Sequence, residues 1–153
     1  MKTSFKRRIR QKYVTIKVRQ KVQELFGLIE FYEDCIKCGD IIEERTPLVK
    51  FNPNSLSNPT ANHMKRLDEM KKIVEAFYKS LRNIERKFNN EELKIFKSSF
   101  LEHKTDFEIR VELRIHKDKY YDLKGYVYFL LAVGFNILDT NNIEVKKGIK
   151  ALN

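Results

Sequence analysis

Residues 116–124 read His-Lys-Asp-Lys-Tyr-Tyr-Asp-Leu-Lys, a stretch dense in side chains that reach bases and phosphates. A lysine ammonium donates to guanine O6 and N7 or to a phosphate oxygen. A tyrosine ring packs on a thymine methyl, and its hydroxyl bonds a phosphate. His116, Lys117, Lys119, Tyr121 and Lys124 are therefore the candidate contacts to duplex DNA, with His116 placed to cap a helix or touch the backbone. Asp118 and Asp122 stand in the same stretch. A carboxylate accepts from cytosine N4 but cannot pair with phosphate.

A second set lies at the N-terminus. Residues 1–21 hold nine Lys and Arg and no Asp or Glu, with Lys6, Arg7, Arg8 and Arg10 the densest part. The rest of the chain is close to balanced, so most of the net charge of +10 sits on this arm. Each cation placed at a phosphate releases a condensed counterion, which gives affinity without sequence preference. On charge alone, an anionic membrane patch and a solubilising tail remain open as alternatives.

Other chemistry finds little support. Cys35 and Cys38 form a single C-x-x-C, whereas a tetrahedral zinc site needs four ligands and a thioredoxin-type motif needs a βαβ frame. The pair reads as two small apolar residues one helical turn apart. His63, His103 and His116 share no ligand spacing, and the 5 glycines are scattered, so no phosphate-cradling loop exists. H-E-x-x-H, G-x-S-x-G and Walker patterns are absent from the chain. The expectation is a protein that is not an enzyme and needs no cofactor or metal. The longest apolar run, around residues 126–135, is about half the ~20 residues that cross a bilayer. The basic start has no apolar stretch behind it and does not read as a secretory signal, and the simplest expectation is a cytoplasmic protein without a membrane partner.

The elements that must position these side chains are helical throughout. Val18, Val22, Leu25, Phe26, Ile29, Tyr32 and Ile36 recur at three- and four-residue steps and predict a helix over 15–37 that Gly39 closes. Residues 40–58 are rich in turn residues, with an extended piece at 48–51, and read as a linker. Asn58 then caps, and Pro59 opens, a helix to about residue 88. Along it Leu67, Met70, Val74, Phe77, Leu81, Ile84 and Phe88 alternate in threes and fours. Such a seam serves either self-association, as a coiled-coil edge, or packing within the chain.

A third helix is predicted over 91–102, with Glu91 and Glu92 on the favourable end of its dipole and Leu93, Phe96, Phe100 and Leu101 buried. Thr105 caps a fourth over 106–113, and Glu108 completes a capping box. A fifth runs over 117–133 to Gly134. The last two form a helix-turn-helix pattern: Ile109, Leu113, Ile115, Tyr120 and Leu123 share a small core, and the start of the second helix faces outward. Arg110 and Arg114 occupy positions where a small residue and a glycine are usual. The chain thus divides into a basic arm and helix (1–39), a linker (40–58), a long helix with the helix-turn-helix (59–138) and a tail (139–153).

The run D-F-E-I-x-x-E-L-x-I-x-x-x-x-Y-Y-x-L-K over 106–124 resembles the C-terminal motif of the ArpU-like phage transcriptional regulators, a group that includes the RinA-like late-gene activators. A basic N-terminal helix, the Phe-x-Pro-x-Ser segment from Phe51 to Ser55 and a long charged helix are also similar to that family. The sequence differs from it at Asp122, where Arg or Lys is usual, and at Gly125. The resemblance implies an all-α helical bundle with a C-terminal helix-turn-helix like region 4 of sigma factors, acting in the bacterial host cytoplasm on phage late genes. The implied partners are double-stranded DNA, RNA polymerase, a second copy of the chain or a regulatory protein. The alternative is a protein-interaction adaptor that acts on RNA polymerase without reading DNA specifically.

Overall fold

A computed structural model describes residues 4–44 and 59–139. Among them the protein is all-α: six α-helices and one π-helical turn, with no strand. The expected linker over 45–58, its extended piece, the Phe51 to Ser55 segment, the Asn58 cap and the tail beyond 139 lie outside the described residues. The chain forms two compact units, residues 1–25 with 80–153, and residues 26–79.

In the first unit, α1 (Phe5–Tyr13) starts at Ser4, whose hydroxyl accepts from the Arg7 amide at 3.1 Å. This corrects the reading of a free arm. Phe5, Ile9 and Tyr13 are spaced by four, and Ile9 and Tyr13 are buried where α1 packs along α6 (Lys117–Gly134). Tyr13 meets Phe129 at 5.7 Å between ring centroids. Apolar burial on one face, worth about 1.5–3 kcal/mol per large side chain, outweighs the mutual repulsion of the cations on the other. A break at Val14 and Thr15 separates α1 from α2 (Ile16–Glu44), where the Thr15 hydroxyl accepts from the Val18 amide at 3.2 Å.

After α3 (Pro59–Glu85), Asn89 caps α4 (Asn90–Phe96) with Glu92 in a reciprocal capping box. The expected helix over 91–102 is not uniform: residues Lys97–Leu101 are π-helical. The wider turn rotates the phase of the residues after it. Phe100 therefore stacks on Phe96 at 5.5 Å and meets Tyr128 at 5.2 Å, while Leu101, expected inside, is exposed. α5 (Asp106–Leu113) carries the expected Thr105–Glu108 capping box. α6 supplies the centre of the unit, with Tyr120, Leu123, Val127, Tyr128, Phe129, Leu131 and Ala132 buried. It ends at Gly134, as the sequence predicts, and just beyond it Asn136 takes φ 58 and the Ile137 amide donates to the Ala132 carbonyl. Gly134 also leaves room for Ile84.

In the second unit α2 and α3 run antiparallel, as the pairs Phe26–Phe77 and Asp40–Lys71 show. Gly39 does not end its helix. α2 continues through it to Glu44, so residues 40–44 are helix rather than linker. The missing side chain of Gly39 is filled by Leu67. The seam of α3 packs in large part within the chain, the second of the two uses its spacing allowed. Leu67, Phe77, Leu81 and Ile84 are buried, and Met70 and Val74 are half-buried. Leu67 packs at Gly39, Phe77 meets Phe26 edge-on at 5.2 Å, and Ile84 packs at Gly134.

Candidate nucleic-acid interface

The connection from α5 to α6 is three residues long, Arg114 to His116. Arg114 takes the left-handed conformation, φ 54 and ψ 42, and its amide donates to the Arg110 and Val111 carbonyls. The Ile115 amide donates to the Arg110 carbonyl at 3.4 Å. This is the hydrogen-bond pattern that usually recruits glycine. His116 precedes the first turn of α6, and its Nδ1 accepts from the Asp118 amide at 3.5 Å.

Beneath the turn Ile95, Ile109, Tyr120 and Leu123 form a closed cluster, with Leu113, Ile115 and Tyr121 packed on it. The residues read from the sequence as a small core are all in it. Ile95, from α4, is the member the sequence reading missed. A polar tie fixes the two helices: the Tyr120 hydroxyl donates to Asp106 at 2.6 Å, and Lys124 Nζ donates to the same carboxylate. Burial would raise the Asp106 pKa, but hydrogen bonds from Lys124 and Tyr120 more than offset it and hold the carboxyl below its ordinary value. Burial, then the Asp106 acceptor, pushes the Tyr120 hydroxyl far above the ordinary tyrosine range.

The candidate contacts separate into two groups. His116, Lys117 and Lys119 are exposed at the start of α6. Lys117 has no carboxylate partner among the described residues, and Lys119 reaches Glu91 at 3.5 Å across the surface. Arg7 and Arg8 are exposed on α1. The others are held inside the fold. Tyr121 is half-buried against the cluster rather than wholly outward. Lys124 turns to Asp106 and is 19% exposed. Lys6 reaches the buried Glu92 at 3.4 Å and lies 4.9 Å over the Tyr126 ring. Arg10 pairs with Asp122 at 3.4 Å.

Lys6 and Arg10, one turn apart, thus dock α1. Asp122 faces that docked arginine rather than standing unpaired on a reading face. Gly125 fits the same contact, because a Cβ there would lie 2.5 Å from Arg10 Cγ. The sequence reading also passed over Arg19. It lines a cleft of about 160 Å³ with Gln23, Asp106, Tyr121, Lys124 and Tyr128. The only local trace was its place in a run of cations without acids. Nothing in the sequence paired it with α6.

Cys35 is half-buried and Cys38 exposed, both as free thiols. Among the described residues no cluster of His, Cys, Asp and Glu could hold a metal ion. None of the described helices is long and apolar enough to cross a membrane. No protein-family model, characterised protein or solved structure matches this chain.

Proposed function

We propose that the protein is a sequence-specific DNA-binding regulator of transcription, with the start of α6 as its reading element, and that it activates phage late genes as its resemblance to the ArpU-like regulators implies. One observation carries this reading. His116, Lys117, Asp118 and Lys119 are all exposed at the N-terminal turn of a helix packed on the cluster of Ile95, Ile109, Tyr120 and Leu123. A helix presented in this way can enter a major groove with its first residues at the base edges. The exposed Arg7 and Arg8 supply charge for phosphate contacts. Selection from a pool of randomised duplexes tests the reading. It predicts an enriched motif bound far more tightly than random DNA, by about 10³-fold or more. Weak, sequence-blind retention would leave only polyanion binding and overturn it.

A second reading has its own observation. Phe107 and Val111, one turn apart on α5, are 71% and 58% exposed. Large apolar side chains grouped on a surface suit a protein partner, and RNA polymerase is the partner that reading proposes. Loss of polymerase capture in Phe107→Ser with Val111→Ser, and no enriched DNA motif, would favour the adaptor.

A further inference from the structure

We infer that Arg19 and Tyr121 form an anchor for one phosphodiester of the DNA backbone beside the reading helix; this rests on the DNA-binding reading above. The cleft they line has six polar groups, and four are already paired. Lys124 and Asp106 bind one another, with Tyr120 as a further donor. Gln23 donates to the Tyr128 hydroxyl at 2.9 Å. The Arg19 guanidinium and the Tyr121 hydroxyl have no hydrogen-bond or ion-pair partner among the described residues. With Lys124 neutralised by Asp106, Arg19 is the uncompensated charge of the cleft, so the cleft attracts an anion.

Its size narrows the choice. At about 160 Å³ it falls below the roughly 300 Å³ at which small-molecule sites begin, so it suits a single anionic group rather than a metabolite. A guanidinium binds both non-bridging oxygens of a phosphodiester at once, and the tyrosine hydroxyl can donate to a remaining lone pair on one of them. Arg19 comes from α2, whereas Tyr121 lies one turn after Lys117 on α6. A phosphate held between them would fix the position of α6 along the groove from an element outside the helix pair.

The test is anisotropy of a labelled, random-sequence duplex of about 30 base pairs over a salt series. Arg19→Ala should bind about tenfold more weakly, and its slope of log K against log salt should be shallower by about 0.9. Arg19→Lys should keep the slope and lose part of the affinity, since it retains the charge without the fork. Tyr121→Phe should weaken binding at unchanged slope, because a neutral donor releases no counterion. Lys65→Ala, exposed on α3, serves as the unchanged control. A wild-type slope in Arg19→Ala overturns the anchor while the DNA-binding reading stands. If inorganic phosphate shifts the Arg19 Nε–H resonance and that slope is still unchanged, the cleft is a free-anion site and the anchor is likewise overturned. Salt-independent or absent binding by the wild type defeats the underlying reading instead.

Discussion

Arg10 lies across Gly125, its Cγ 2.5 Å from where a Cβ on that glycine would stand, and its guanidinium reaches Asp122 one turn earlier on the same helix. The glycine and the aspartate are thus two halves of one contact with α1. Alanine in place of glycine raises helix propensity by about 1 kcal/mol, but overpacking a close contact costs about 1–3 kcal/mol. The clash involves the Cβ and Cγ of Arg10, which cannot swing aside without moving α1. Gly125→Ala should therefore fail to stabilise the protein in thermal melts. Gly125→Leu should free α1, seen as faster amide hydrogen exchange over residues 5–13. A full propensity gain in the alanine variant would show that the approach is not a packing constraint.

Acid should loosen the α5–α6 pair. The Asp106 carboxyl is held below its ordinary value in the fold by Lys124 and Tyr120, against the upward push of burial. A depressed folded pKa gives stability that is present above the unfolded value, about 4, and is lost as pH falls through the folded one. Urea midpoints should therefore drop below about pH 4. Asp106→Asn should lower the midpoint at neutral pH and flatten that acid fall. An unchanged acid limb in the variant would assign the fall to other carboxylates.

Arg114 offers the opposite kind of change. A left-handed backbone costs an L-residue about 1–2 kcal/mol, and glycine avoids that cost while losing about 0.5–1 kcal/mol more chain entropy on folding. Arg114→Gly should raise stability by up to about 1.5 kcal/mol. A lower melting temperature would mean that the arginine side chain holds the turn by contacts stronger than the strain.

Leu81 tests the fate of the α3 seam. It is 4% exposed within the first unit, so a carboxylate there must be buried without a partner. Leu81→Glu should abolish the cooperative melt rather than convert a dimer to a folded monomer. Sedimentation of a well-folded, newly monomeric variant would return the seam to self-association.

These sites mark what the sequence made legible. Capping at Thr105 with Glu108, and the spacing of Ile109, Leu113, Ile115, Tyr120 and Leu123, are local signals, and the structure uses them locally. The helical stripe of Phe5, Ile9 and Tyr13 was equally local, yet the surrounding cations suggested an arm. One glycine misled. Gly134 does end its helix, but Gly39, which looked like another helix end, lies inside α2 where Leu67 comes close. Local rules cannot separate those two uses of a missing side chain. Lys6 with Glu92 and Arg10 with Asp122 were invisible for a related reason: the partners lie far apart in sequence and meet only once α1 docks.

Lys117 and Lys124, both proposed as DNA contacts from the sequence, now carry different expectations. Lys117 is exposed without a carboxylate partner among the described residues, so its ammonium is available to a base edge or phosphate. Lys124 is 19% exposed and bound to Asp106. Lys117→Ala should leave the melting temperature unchanged and cost about 1–3 kcal/mol on the selected DNA motif, with little loss on random DNA. Lys124→Ala should act through the fold. It removes a donor from a carboxylate that burial already penalises, and so should lower stability by about 1–3 kcal/mol. Lys124→Gln, which restores a donor without the charge, should recover part of that stability. DNA binding by both Lys124 variants should follow the folded fraction measured at the same temperature. If Lys124→Ala stays fully stable and loses affinity with a shallower salt slope, the lysine leaves Asp106 for phosphate on binding. If Lys117→Ala binds the selected motif as the wild type does, the start of α6 does not read bases and the adaptor reading gains.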